Sequence, residues 1–442
     1  MNHLDRLADL IAQARKAGAD AADAVLVAGT SLSVDRRLGK TEHVERAEGQ
    51  DIGLRVFIGQ QAAVVSATSI DPAGFAALAE RAVAMARVVP EDPHIGLADT
   101  AAPPAFDNLD LEDPVEAPVE DLLRRASIAE EAAMAVPGIT NSEGASASYG
   151  RTEVLLVTSA GFAGRRVGTS HSISATALAG TGTGMQRDYD YHSVMHLSDL
   201  DDPAIIGRSA GERAIRRLNP GRPQTARLPV VYDPRVAGSL IGHLIGAING
   251  AGIARGTSFL KDKLGQRIFP AGVFVHDDPR RIRGPRSKVF DGEGTPTVAR
   301  ALIEDGILTT WLLDSRSARQ LGLVSTGHAS RGTSGPPSPS GTNLYMGPGR
   351  LTPAQLIADI KLGLYINEMI GMGVNGLTGD YSRGAAGFMI RDGALAEPVA
   401  EITVAGNLME MFANLTPAND LVFRRGTDSP TLRVEGLTMA GS

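Results

Sequence analysis

The amino-acid sequence predicts an α+β protein, because helical and strand-like patterns both occur from the N-terminus onward. Residues 4–17 place apolar side chains on one stripe at helical spacing. Four runs that are β-branched or alternate in polarity follow, as is typical of strands: residues 24–28, 32–37, 52–58 and 62–67. With 442 residues, of which 43% are hydrophobic, the chain is long enough for two or three domains with ample cores.

Composition and charge argue against several classes of protein. The sequence has no cysteine, which excludes disulfides, thiolate chemistry and Cys-ligated metals. A net charge of -7 argues against a nucleic-acid partner, because such binding depends on clustered Lys and Arg. The first twenty residues alternate charged and apolar side chains, which predicts a folded helix rather than a signal peptide. We therefore expect a cytoplasmic protein.

The next part of the chain predicts one long connection and one wide sheet. A helix over residues 72–87 is followed by a proline-rich, acidic stretch at 89–119, a composition that resists regular structure and predicts a surface connection. A helix over 119–135 comes next. Strand-like runs between residues 144 and 197 then carry Ser, Thr and Gly in place of bulky apolar residues, which predicts a wide sheet with one wet face.

Polar residues in this block raise two possibilities for chemistry. Asp190, His192 and His196 are predicted to share one face of a strand, so the two histidines could clasp a metal. Because no third ligand is identifiable, a polar sheet face beside a cleft is the preferred interpretation. Ser209 lies in a G-x-S-x-G match, but the surrounding residues 202–217 predict a helix, which is not the strand and tight turn that a nucleophilic serine needs.

A glycine-rich helix is predicted over residues 234–256. Between Arg235 and Arg255 it carries no charge, and glycine recurs every fourth residue at 238, 242, 246 and 250. Glycines in register predict a ridge pressed closely against a packed neighbour, in a wholly buried helix. His243 and Asn249 weaken the alternative of a membrane span. With no second histidine or carboxylate beside it, His243 is interpreted as a core residue rather than a metal ligand.

The C-terminal part predicts two hairpins and a helix. Residues 302–313 and 389–406 are strand pairs that turn at Asp-Gly dipeptides. Residues 330–342 form a Ser/Gly/Pro stretch that predicts a mobile loop. Residues 352–370 predict a helix that begins at a Thr-Pro pair.

Three long motifs in the tail carry a resemblance to a known family. They are NLYMGPGRLTPAQLIADIKLGLYI at 343–366, GDYSRGAAGFMIRDGALAEPVAEITVAGNLMEM at 379–411 and SPTLRVEGLTMAG at 429–441. Together they resemble the TldD/PmbA family, and specifically its PmbA (TldE) branch, over nearly the whole chain. The resemblance implies an N-terminal α/β domain at 1–220 and a C-terminal domain at 221–442 built on large curved, mostly antiparallel sheets.

The metal-bearing branch of that family, TldD, carries H-E-x-x-x-H on the equivalent helix, and a distant cysteine completes its zinc site. Alignment through the shared R-G-T-S-F stretch, residues 255–259, places Ile241 and Gly246 at the histidine positions and Gly242 at the glutamate position. None of these offers a donor atom. The resemblance therefore implies no zinc and no catalytic residue in this chain, with zinc expected in a TldD-like partner.

The sequence leaves three functional hypotheses. The first is the non-metal subunit of a heteromeric TldD/TldE-type metallopeptidase that cleaves unfolded or modified peptides in the cytoplasm. The second is a hydrolase that uses Ser209 or the two histidines of the strand block, and the third is a homodimeric peptide-binding protein without catalysis. The candidate residues for a substrate cleft are His192, His196, His243, Asn343, Tyr381, Ser382 and Arg383.

Overall fold

The computed structural model describes residues 2–100 and 108–441 of the chain. Its helices are α1 His3–Lys16, α2 Phe75–Ala86, α3 Val119–Met134, α4 Pro203–Arg216, α5 Pro234–Ala247, α6 Gly250–Ala254, α7 Ser315–Leu321, α8 Pro353–Ile357 and α9 Leu408–Ala413. Its strands are β1 Ala21–Arg37, β2 Lys40–Ile58, β3 Gln61–Ala67, β4 Ile139–Thr158, β5 Ala163–Ala179, β6 Gln186–Val194, β7 Ala226–Tyr232, β8 Val275–Asp277, β9 Arg300–Glu304, β10 Ile307–Leu308, β11 Ala329–Ser330, β12 Ser338–Pro339, β13 Leu344–Met346, β14 Leu362–Ile370, β15 Asp380–Arg391, β16 Ala394–Asn407, β17 Leu415–Pro417, β18 Thr427–Asp428 and β19 Leu432–Ala440. None of the helices in this described part is long and apolar enough to cross a membrane.

The first six strands form one antiparallel sheet in the order β3-β2-β1-β4-β5-β6. Side chains alternate between its two faces, as strand geometry requires. On β1, Ala24, Leu26 and Leu32 point to the face covered by α1 to α4, and they are buried there. Val25 points to the opposite face, where it packs with Phe290 of the C-terminal half. The sheet is therefore a layer between four helices and the rest of the molecule.

The C-terminal half is built around a closed barrel. Strands β16, β15, β14, β7 and β19 are neighbours in that order, and β19 pairs back onto β16. All these pairings are antiparallel except β7 with β14. The ladders are interrupted by irregularities between Ala385 and Gly387 and between Val434 and Leu437, the kind of feature that lets strands bend and a sheet close. A second sheet of short strands, β10-β9-β8-β13-β18, lies beside the barrel.

This architecture confirms the α+β class and the curved, mostly antiparallel sheets of the C-terminal half. Both Asp-Gly hairpins are confirmed as β9–β10 and β15–β16. The residues that connect α2 and α3 contain no helix or strand over 87–100 and 108–118, as the sequence predicts for that connection. The boundary between residues 220 and 221 stays a prediction.

The predicted helix over 352–370 is wrong for most of its length. Only α8 is helical, and residues 362–370 form β14. This strand pairs with β15 on one side and with β7 on the other. The pairing with β15 runs along most of the strand and that with β7 covers residues 364–366, so long-range strand pairing overrides the local helical pattern.

The predicted mobile loop at 330–342 is instead packed against the N-terminal sheet. Its ends pair as β11 and β12, and the Arg331 guanidinium is 1% exposed, where it forms an ion pair with Asp23 of β1. The Arg55 Nε also donates to Asp23, at 2.9 Å, and Glu293 lies 3.6 Å from Arg55. Burial alone would raise the pKa of Asp23, but the charges of Arg331 and Arg55 outweigh burial and lower it. This buried ion network joins the two halves of the chain.

Candidate functional site

Helix α5 lies against the barrel, and its start is well defined by local chemistry. The Asp233 carboxylate accepts a hydrogen bond from the backbone N–H of Arg235 at 2.8 Å, and Pro234 occupies the first turn. The Tyr365 hydroxyl donates to the other oxygen of Asp233 at 2.7 Å, which ties the cap to β14. The apolar face of the helix is buried in the barrel core through Leu240, among others. The position of α5 is therefore fixed from both its end and its side.

The opposite face of α5 is open, which contradicts the predicted packed ridge. A Cβ placed on Gly242 or Gly246 would have no neighbour within 4 Å, and both residues are exposed. At Gly238 a Cβ would lie 3.1 Å from the Thr427 carbonyl oxygen, while Gly250 lies beyond the end of α5 and begins α6. The prediction failed because the apolar residues alone fill the buried face, leaving the glycines on the other side. We call Gly238, Gly242 and Gly246 the glycine strip.

His243 and Tyr381 lie beside this strip. Their ring centroids are 5.8 Å apart and the rings meet edge to face at 78°. The Nε2 atom of His243 is buried without a hydrogen-bond partner in the described structure. Burial, and then the positive charge of Arg383, lower the pKa of His243 to about 4. His243 is therefore neutral at physiological pH.

Two tyrosines form the floor under His243. Tyr381 of β15 is 2% exposed and Tyr232 of β7 is 0% exposed. Burial raises the pKa of both phenols, and each influences the other. Neither hydroxyl makes a well-formed hydrogen bond within the described residues. The floor therefore contains two buried phenol hydroxyls that lack a hydrogen-bond partner among the described residues.

A cavity of about 370 Å³ opens at the Gly238 end of the strip. Its wall includes Ser239 and Asn367, whose Oγ and Oδ1 atoms are buried without partners in the described structure. We call this cavity the arginine pocket, because it is lined by Arg187, Arg217, Arg235, Arg383 and Arg425. These five side chains come from β6, the end of α4, α5, β15 and the loop before β18.

The other candidate residues are placed differently. Ser382 is exposed, because side chains on β15 alternate between the two faces of the strand and its neighbour Tyr381 is buried. The Ser382 backbone N–H donates to the Gly373 carbonyl at 2.7 Å. Asn343 is 0% exposed. Its amide donates to the Asp278 carbonyl and to the Ser287 hydroxyl, both at 2.8 Å. Asn343 is therefore a buried residue that connects two loops through hydrogen bonds, and it does not line a cleft.

The two histidines of the strand block do not converge on a common point. Strand β6 ends at Val194, so His196 lies beyond it, and the predicted shared strand face is wrong. His192 accepts a hydrogen bond from the Asp201 backbone N–H at 3.1 Å, whereas the His196 Nε2 lies 2.9 Å from the Asp110 carbonyl. Each ring is thus engaged by a different loop. In residues 2–100 and 108–441 no three His, Asp or Glu side chains are arranged to hold a metal ion.

Sequence reasoning missed most of the arginine pocket. The arginines at 187, 217, 235 and 425 are isolated or paired in a chain of negative net charge, and no local pattern marks them as members of one site. Arg383 was selected because it follows Tyr381 in a motif of the tail. The one local signal for a second member was Arg235, because it follows the Asp-Pro cap at the start of the glycine-rich helix.

Three models of protein-family domains match this chain, and they agree with the class of protein that the fold and the site define. Residues 22–86 match PmbA/TldA metallopeptidase domain 1, residues 112–218 match the central domain of the same family, and residues 225–441 match its C-terminal domain. Together these matches span most of the chain. The protein belongs to the PmbA/TldD family.

Full-length relatives support the same assignment. Metalloprotease PmbA of Escherichia coli is 36% identical over 96% of this chain and 92% of that protein. The Metalloprotease PmbA homolog of Haemophilus influenzae is 34% identical over 97% of this chain and 94% of that protein.

Solved structures share the fold. A protein from Bacteroides thetaiotaomicron described as a putative modulator of DNA gyrase superimposes with a TM-score of 0.90 at 26% identity, covering 99% of this chain and 98% of that one. TldE from Thermococcus kodakarensis superimposes with a TM-score of 0.87 at 20% identity, covering 99% and 100%.

Proposed function

We propose that this chain is the non-metal subunit of a heteromeric TldD/TldE-type metallopeptidase that cleaves unfolded or modified peptides in the cytoplasm. Family membership and the metalloprotease names of its relatives support a role in peptide hydrolysis. The observation that carries the proposal is the chemistry of α5. A zinc-dependent hydrolase needs imidazole or carboxylate ligands at this helix.

The residues of α5 do not fit a zinc ion. At the three positions aligned with the TldD motif, Ile241 is 1% exposed in the barrel core, and Gly242 and Gly246 have no side-chain donor. The neighbouring His243 could offer one nitrogen, but a single imidazole beside Tyr381 does not make a zinc site. The proposal therefore assigns zinc, the general base and the attacking water to a TldD-like partner.

The glycine strip suits contact with an extended peptide. Without side chains at Gly242 and Gly246, another backbone can approach the helix closely. A surface without side chains places few steric demands on the side chains of a peptide, so contact there depends little on sequence, as a peptidase of unfolded chains requires. We propose that the substrate peptide lies along this strip in the complex, with His243 and Tyr381 at its side.

The structure gives no support to a hydrolase centred on Ser209. That residue lies inside α4, so its hydroxyl is not presented on a strand-to-helix turn. A homodimeric peptide-binding protein remains the competing function, and it differs from the proposal in needing no partner.

The test is to mix the purified chain with a TldD-like subunit and to measure both association and cleavage of an unstructured peptide. We expect a heteromeric complex that cleaves faster than the partner alone. Equal cleavage by the partner alone, or no association, would contradict the proposal. Peptide binding by a homodimer without any effect on the partner would favour the competing function. Cleavage by this chain alone would indicate a catalytic site of its own.

Substitution in the strip gives a sharper version of the same test. Gly242→Leu should fold, because its side chain enters open space, but it should slow cleavage by the complex at least tenfold because the strip is obstructed. Gly49→Leu on β2 is the matched control, since Gly49 is also exposed and also has no neighbour within 4 Å of a Cβ. Because Tyr381 is 2% exposed, its contribution is best tested with Tyr381→Phe, which removes the hydroxyl without opening a cavity.

A further inference from the structure

The arginine pocket contains more positive charge than its own carboxylates neutralise. Asp188 is 1% exposed and lies 2.9 Å from an Nη of Arg235 and 3.4 Å from an Nη of Arg217. Glu368 forms a second ion pair with Arg217. These two carboxylates are therefore committed to two of the five guanidinium groups.

Of the other three pocket arginines, Arg187 pairs with Glu143 at 3.2 Å, whereas Arg383 and Arg425 are held in place by neutral groups. The Arg383 Nε donates to the Gly371 carbonyl at 2.9 Å. The Arg425 Nε donates to the Tyr191 hydroxyl at 2.7 Å, and its guanidinium lies over the Tyr191 ring at 5.3 Å from the centroid. Within the described part of the chain, neither arginine forms an ion pair with a carboxylate. Two guanidinium groups thus line one cavity without a direct carboxylate partner, and of these two the charge of Asp428 acts on Arg425 alone.

The wall of the pocket also contains a buried polar atom that has no hydrogen-bond partner. Ser239 Oγ is buried there without a partner among the described residues, and a hydroxyl can donate to an anion as readily as it can accept. A cavity of about 370 Å³ has room for about a dozen water molecules, at about 30 Å³ each in the liquid. That is enough for one end of a peptide or one acidic side chain.

We propose that the arginine pocket binds a carboxylate of the substrate peptide, either its free C-terminus or an Asp or Glu side chain. Guanidinium groups recognise carboxylates through paired, charge-assisted hydrogen bonds, and the Nε contacts of Arg383 and Arg425 hold both groups at the pocket wall. The inference rests on the proposed function, because the pocket lies at the Gly238 end of the glycine strip. A carboxylate anchored there fixes the position of a peptide that the strip alone binds without regard to sequence.

The test measures binding of fluorescent peptides by anisotropy to the full-length chain, alone and mixed with a TldD-like partner kept free of metal to prevent cleavage. Four peptides of one apolar sequence are compared: a free acid, its C-terminal amide, and both forms with one internal Glu. We expect at least tenfold tighter binding of the free acid than of the amide if the C-terminus is recognised. If instead the internal Glu restores binding of the amide, the acidic side chain is the recognised group.

Substitutions assign the effect to the pocket. Arg383→Gln and Arg425→Gln should each reduce the ratio of free-acid affinity to amide affinity at least fivefold. Arg424→Gln is the matched control, because Arg424 is its neighbour in sequence but pairs with Asp201 outside the pocket. Thermal melts verify folding, and raising the salt concentration, which weakens charge pairing without any substitution, should reduce the preference in the parent chain.

The outcomes separate the inference from the proposed function. If all four peptides bind equally well, peptide binding stands and carboxylate recognition is refuted. If a preference exists but both pocket variants keep it, the carboxylate is bound elsewhere and the inference is again refuted. If no peptide binds even in the presence of the partner, the proposed function fails and the inference with it.

Discussion

The buried imidazole of His243 predicts a specific dependence of stability on pH. Its pKa is lowered from 6.5 to about 4 in the folded chain, first by burial and then by the charge of Arg383. An imidazole with a lowered pKa binds fewer protons in the folded state than in the unfolded state. As pH falls below 6.5, His243 becomes protonated in the unfolded chain but stays neutral in the folded chain. The free energy of unfolding therefore decreases progressively down to about pH 4.

The magnitude follows from these two pKa values. Between pH 7.5 and pH 5, a group that shifts from 6.5 to about 4 costs about 2 kcal/mol of unfolding free energy. Because His243 is partly accessible to solvent, we expect about 1 to 2 kcal/mol. The charged and titratable groups that influence it are Arg383, and Tyr381 across the edge-to-face contact, which does not ionise in this range.

The assay compares urea unfolding at pH 7.5 and pH 5 for the parent chain, His243→Phe and His243→Gln. Both variants remove the titration, but they differ in shape and polarity. In each of them the loss of stability between the two pH values should be smaller than in the parent by about 1 to 2 kcal/mol. Other buried histidines contribute to parent and variants alike and cancel in the comparison. An unchanged pH dependence in both variants would refute the account of His243 as a buried neutral imidazole.

Three further predictions concern stability, and urea unfolding measures each of them. Gly242→Ala should stabilise by about 0.5 to 1 kcal/mol, because alanine is the better helix former and the site is open, whereas Gly207→Ala in α4 should cost about 1 to 3 kcal/mol because its Cβ meets the Ala129 backbone. Arg331→Met should cost about 3 to 5 kcal/mol by leaving a buried carboxylate short of a partner, far more than Arg391→Met at an exposed ion pair. Tyr365→Phe should cost about 1.5 to 3 kcal/mol by removing a hydrogen bond to the charged N-cap of α5. A stable Arg331→Met or Tyr365→Phe, or a destabilised Gly242→Ala, would contradict the corresponding interaction.

Several elements followed directly from local sequence patterns. The Asp392-Gly393 turn forms because both residues adopt positive φ, at 46° and 78°, which Asp and Gly tolerate better than most residues. The start of α5 follows from Asp233 and Pro234, a cap and a first-turn proline. The helical setting of Ser209 was also predicted, and it removed a false hydrolase motif.

The candidate site was predicted only in part. Tyr381, Arg383 and His243 do lie together, and the tail motif was sufficient to select the first two. Asn343 comes from the same tail motifs, but it is a buried residue that connects two loops. A family motif contains structural and functional residues alike, so the motif does not distinguish them. The prediction that His196 lies on the strand is wrong, because the alternation of polar residues does not indicate where β6 ends.

By itself the sequence determined the class of fold and the family. These properties depend on residue identity and on short-range patterns such as turns, helix caps and periodicity. None of these patterns requires a contact with a distant part of the chain. Tertiary structure decided that the glycines of α5 face open space, that residues 362–370 form a strand, and that five arginines share one pocket. The physical reason is that burial, strand pairing and the grouping of charges depend on contacts between residues far apart in the chain, such as the hydrogen bond from Arg425 to Tyr191, and no local pattern encodes which residues meet.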